Sequence, residues 1–149
     1  MLKAVIFDVD GTLLDTERIY MRAWKEAGAE LGYDVTDALL LKTRAIPGKI
    51  AAKMFEEEIG NGFSYETCRV GRVRIAEEII EKESPLLKPG VEMLLDYLDA
   101  HQVRLAVASS TNIKKTKEHL TASGIGERFE VMVGGDMVER GKPNPDIFL

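Results

Sequence analysis

The apolar run Ala4-Val5-Ile6-Phe7 leads directly into Asp8-Val9-Asp10-Gly11-Thr12, and this stretch constrains the fold more than any other. A short apolar run that ends in a glycine-containing loop reads as a buried strand. The two acids therefore stand at a strand's carboxyl end, which is where parallel α/β sheets bind ligands. Side chains at i and i+2 of a strand share a face only while the strand stays regular, and a turn at Gly11 can bring both carboxylates onto one site. Clustered aspartate oxygens suit Mg²⁺, which takes one or two carboxylates together with phosphate and water. An aspartate can also act as a nucleophile and form an aspartyl-phosphate. A turn in which Asp15 or Thr16 merely caps the next helix explains less, because capping does not call for two acids ahead of the glycine.

The 149 residues suffice for one ordinary domain, or for a small core with an insertion. At 45% hydrophobic and 30% charged residues the composition is globular, and no stretch approaches the roughly 18 apolar residues of a membrane span. A strand follows Met1 almost at once, with no signal-type segment, so the expectation is a cytoplasmic protein that does not engage a membrane. The single cysteine, Cys68, excludes an internal disulfide and reads as a packing residue. A net charge of -5 argues against a nucleic-acid partner.

Helical spacing of Ile19, Tyr20, Ala23, Trp24, Ala27 and Leu31 predicts a helix from Thr16 or Glu17 to just before Gly32, with Trp24 on its packed stripe. Further helices are expected over Asp37 to about Ala45, Lys49 to about Ile59, and from the Ser64-Glu66-Thr67 start to about Lys82. The runs Glu56-Glu57-Glu58 and Glu77-Glu78 read as solvated faces. After Ser84-Pro85 the pattern changes. A helix opening at Pro89-Gly90 precedes the strand Val103 to Ala108, and a helix from Ile113 to Ser123 precedes the strand Phe129 to Val133. Alternating strands and helices imply parallel pairing, so the helical block is an insertion in an α/β core. His101 and His119 are expected on surface helices, away from the acids.

Three segments then supply polar groups to one end of the sheet: Asp8 and Asp10, then Ser109 with Ser110, then Gly141-Lys142-Pro143-Asn144-Pro145-Asp146. A phosphoryl group in transfer spreads charge over three oxygens, and hydroxyls, backbone N–H groups, a fixed cation and a metal stabilise it. In order and context these segments resemble the haloacid dehalogenase superfamily, specifically its phosphatases and β-phosphoglucomutase-like members with a helical cap. Asp8-Val9-Asp10-Gly11-Thr12, Ser109 and Lys142 match the first three of that family's four motifs, and the flanks of Lys142 look like the β-phosphoglucomutase-like version.

The resemblance implies an α/β, Rossmann-like three-layer core with a parallel sheet over residues 1–15 and 87–149, and an inserted four-helix cap over 16–86. It implies a Mg²⁺-dependent phosphomonoester hydrolase acting on a small phosphorylated metabolite. Asp8 would be the nucleophile and Asp10 the acid and base, while Ser109 and Lys142 hold phosphate oxygens and Lys142 also pairs with Asp8. The metal would be bound by the Asp8 carboxylate and the Asp10 backbone carbonyl. Gly11, Thr12, Ser110 and Asn112, with Lys49 of the cap, are the implied substrate contacts. A phosphosugar mutase is the alternative, disfavoured because the mutases carry histidine where this sequence has Tyr20; an inactive phosphate-binding fragment is another. The fourth motif, an acidic pair, would lie beyond Leu149, so an incomplete metal site and self-association through an exposed sheet edge are expected.

Overall fold

The computed structural model describes residues 2–44, 46–60 and 62–149. Three strands, β1 (Ala4–Phe7), β2 (Arg104–Ser109) and β3 (Val131–Gly134), form a parallel sheet in the order β1-β2-β3. Ala4 pairs with Arg104 and Phe7 with Val107, while Ala106 pairs with Val131 and Ser109 with Gly134. With Phe7 opposite Val107, β2 runs two residues further, to Ser109, so Asp8 and Ser109 both lie at the carboxyl end of the sheet. Among the described residues the α-helices are α1 (Thr16–Glu30), α2 (Asp37–Lys42), α3 (Gly48–Ile59), α4 (Tyr65–Glu83), α5 (Val91–Ala100) and α6 (Ile113–Ala122). The chain divides into two compact units, Met1–Thr16 with Ser84–Leu149, and Glu17–Glu83.

In the α/β unit, α5 places Val91, Leu95 and Leu98 on one face, the i, i+4, i+7 spacing of a helix with a single buried stripe. These residues join Val9, Leu13, Leu14, Leu105, Val107, Leu120, Ile125 and Phe129 in one core. The third strand begins later than the apolar run Phe129 to Val133 predicts. A 3₁₀ turn, Gly126–Arg128, delivers Phe129 into the core, where its ring meets Phe7 edge-on at 6.2 Å, and ladder pairing starts only at Val131. His119 also departs from expectation: it is buried, at 7% exposure, because α6 turns it inward with Thr116 and Leu120.

The helical unit has its own core. Trp24 packs against Phe55 and Tyr65 with ring centroids 4.9 and 5.2 Å away, and Ala23, Ala27, Leu39, Cys68, Ile75 and Ile79 complete it. The Arg72 guanidinium lies over the Tyr20 and Trp24 rings at 5.1 and 5.4 Å, a cation–π arrangement in which burial pulls its pKa below the ordinary arginine value. Cys68 is fully buried, and Glu56, Glu57, Glu58, Glu77 and Glu78 are exposed, as their sequence context predicts. α2 is shorter than predicted, ending at Lys42 with Thr43 as its cap; Ala45 lies outside the described residues.

Candidate active site

Asp8 is the first residue past β1, and Val9 turns into the core at 1% exposure. The chain then reverses at Gly11, whose φ of +75° is a left-handed conformation that a side chain would disfavour. The turn closes on itself, with Gly11 N–H donating to Leu14 O at 2.9 Å and Thr12 N–H donating to Val9 O at 3.2 Å. Those two amides are therefore used within the turn, and Gly11 serves the site by its conformation. Thr12 is exposed.

The two aspartates have different environments. Lys142 Nζ donates to Asp8 Oδ1 at 2.8 Å and to the Ala108 carbonyl at 2.9 Å, so β2 and the segment carrying Lys142 hold one cation against the first acid. The Asp8 side chain remains 45% exposed. Asp10, in contrast, accepts from a hydroxyl at each oxygen: Thr16 Oγ1 to Oδ1 and Thr111 Oγ1 to Oδ2, both at 2.9 Å. The sequence assigns neither threonine to the site. Thr16 reads there as a helix start, and its full burial beside a carboxylate is a tertiary fact.

Ser109 ends β2 fully buried, and its Oγ accepts from the Thr111 N–H at 3.0 Å. A hydroxyl whose lone pair is occupied in this way keeps its own proton to donate. Ser110 is exposed. The Asn112 side chain caps α6, accepting from Lys114 N–H at 2.9 Å and donating to Asp136 at 2.8 Å, so its amide is engaged in local structure. Lys142 is held by its own loop as well, where Arg140 forms a two-pronged ion pair with Asp146 at 2.8 and 3.0 Å and Asn144 N–H donates to Gly141 O. Lys49 belongs to the helical unit, exposed in the first turn of α3.

The sequence profile of haloacid dehalogenase-like hydrolases matches residues 5–149. The chain belongs to that family. This haloacid dehalogenase-like hydrolase is 34% identical to the phosphorylated carbohydrates phosphatase of Thermotoga maritima, over 99% of this chain and 68% of that protein. It superposes on CbbY from Rhodobacter sphaeroides, crystallised with phosphate, with a TM-score of 0.68 at 30% identity, covering 99% of this chain and 70% of the other. The β-phosphoglucomutase of Clostridium difficile shares the fold, with a TM-score of 0.70 at 22% identity over 99% of this chain and 68% of that one. The inserted helical segment and the parallel sheet of this hydrolase are thus those of a family whose named members include phosphatases.

Proposed function

We propose that this hydrolase cleaves phosphomonoesters of small metabolites, with phosphorylated carbohydrates as the substrate class, through an aspartyl-phosphate on Asp8. The observation that carries the reading is the Lys142 ammonium held 2.8 Å from a half-exposed Asp8 carboxylate at the end of a parallel strand, with the buried Ser109 hydroxyl ending the neighbouring strand. A fixed cation beside a nucleophilic carboxylate offsets the repulsion between it and an incoming phosphate. The relative from Thermotoga maritima, named for phosphorylated carbohydrates, supports the substrate class.

In the first step an Asp8 carboxylate oxygen bonds to phosphorus, the ester P–O bond breaks, and the departing oxygen takes a proton from the Asp10 carboxyl. In the second, water bonds to phosphorus and gives its proton to the Asp10 carboxylate, and the bond between phosphorus and Asp8 breaks to release inorganic phosphate. Lys142 and Ser109 hold the non-bridging oxygens through both steps. No group of three or more acids, histidines or cysteines that could hold a metal occurs among the described residues. With both Asp10 oxygens engaged by threonines, the donors left are the Asp8 carboxylate and the Asp10 main-chain carbonyl, a set that fits Mg²⁺ because this ion keeps water and substrate phosphate as its other ligands. When bound there, Mg²⁺ would neutralise charge on the transferring phosphate.

The test is phosphate release from p-nitrophenyl phosphate and from a panel of sugar phosphates in MgCl₂. Asp8→Asn is expected to abolish release while the melting temperature stays near that of the parent, because the Asp8 side chain is half exposed. Release by Asp8→Asn at the parent rate would remove the assignment.

A further inference from the structure

We propose that Thr111 is a positioning residue for Asp10, and that through it the loop carrying Ser109 sets the direction in which Asp10 delivers its proton; this rests on the phosphomonoesterase reading above. Residues 10 and 111 leave different strands, yet Thr111 Oγ1 donates to Asp10 Oδ2 at 2.9 Å while Thr16 Oγ1 donates to the other oxygen at the same distance. A carboxylate held at one oxygen can still swing about that bond. Held at both, from opposite segments, it has one orientation.

Thr111 is itself fixed by its main chain on two sides. Its N–H donates to Ser109 Oγ at 3.0 Å, and its carbonyl accepts from Gly135 N–H at 3.0 Å. The same residue therefore orients the hydroxyl assigned to phosphate and the carboxyl assigned to the leaving oxygen. Its side chain is half-buried, as expected of a bond shielded from water but adjoining a site. Each carboxyl oxygen has more than one acceptor site, so both threonines can keep donating whether Asp10 is a carboxylate or a carboxylic acid, whose own proton then stays free for the leaving oxygen. The clamp thus keeps Asp10 in place through both steps without restricting it to one protonation state.

Loss of this clamp has a signature that general loosening of the loop lacks. Proton delivery matters most when the leaving group is a poor one, so a misaimed Asp10 slows transfer from an alkyl phosphate more than from p-nitrophenyl phosphate, whose phenolate departs without a proton. The experiment compares Thr111→Val, Thr111→Ala and Thr111→Ser with the parent in two readouts. In protein carrying ¹³C at the aspartate carboxyl carbons, the Asp10 signal is identified by its absence from Asp10→Asn; it is expected to move in Thr111→Val and Thr111→Ala and to stay in place in Thr111→Ser. In MgCl₂, kcat/KM for glycerol 3-phosphate is expected to fall at least ~10-fold further than that for p-nitrophenyl phosphate in the valine and alanine variants, a part of the ~10²–10⁴ that a general acid supplies, with serine restoring both. An Asp10 signal that does not move in Thr111→Val or Thr111→Ala overturns the proposal, as does a moved signal with equal losses for the two esters. A parent that releases phosphate from neither ester removes the phosphomonoesterase reading, and the carboxyl signal then decides the positioning role alone.

Discussion

In the proposed reaction Lys142 acts through its point charge. An ammonium has three N–H donors, and the bonds to Asp8 and to the Ala108 carbonyl use two of them, which leaves one for a phosphate oxygen. Lys142→Ala is expected to lower kcat at least ~100-fold, because a fixed donor aimed at developing charge is worth several kcal/mol. The same change should cost only about 1 kcal/mol of stability, since both side chains of the pair keep solvent contact, at 25% and 45% exposure. Phosphate release and thermal melting on one preparation check both halves. A large loss of stability with activity retained would make Lys142 a structural residue.

Among the elements, the end of β3 decides how close the site loop can come. A Cβ on Gly135 would stand 2.3 Å from Ser110 O, and one on Gly134 would stand 2.4 Å from Ile113 N. Both contacts are with backbone, which cannot rotate away. Gly135→Ala is therefore expected to push back the loop that holds Ser109 and Thr111, destabilising by ~1–3 kcal/mol and lowering phosphate release together. Gly48→Ala, where nothing lies within 4 Å, is the control expected to do neither. In α4 the buried Cys68 thiol is pushed up from its ordinary 9.0 to about 11, chiefly by burial, with Arg72 opposing. The unfolded chain then releases this proton first, so the contribution is whole below pH 9 and is lost as pH rises through 11. Urea midpoints at pH 8 and pH 10 should fall more in the parent than in Cys68→Ala, and equal falls would rule out this thiol as the cause.

For the molecule as a whole, the exposed side of β1 is the open question of assembly. The described sheet runs β1-β2-β3, so β1 has a neighbour on one side, and Ile6 is 47% exposed. An apolar edge strand offers a row of backbone groups to another chain. The 149-residue chain is expected to self-associate with rising concentration through this edge, and Ile6→Lys to weaken that association. Light scattering over a concentration series checks it, and a parent that stays monomeric throughout would refute it.

What the sequence by itself determined is what depends on neighbours along the chain. The Ala4 to Phe7 strand, the acids at its end, the reversal at Gly11, the helical spacing around Trp24 and the burial of Cys68 are all legible there, because periodicity and turn chemistry act over a few residues. The fold class and the family were legible for the same reason, since their motifs are short and the first two sit at strand ends. The partners of those motifs were decided only by the tertiary structure. Whether Asp10 meets Thr111, 101 residues away, or Gly135 closes on Ser110 depends on the register β2 keeps with β1 and β3, and no local pattern encodes that register. Asn112 and His119 show the same limit in reverse. In sequence both are polar residues that a surface or a site could use, and the packing of α6 instead makes the first a cap bonded to Asp136 and the second part of the interior.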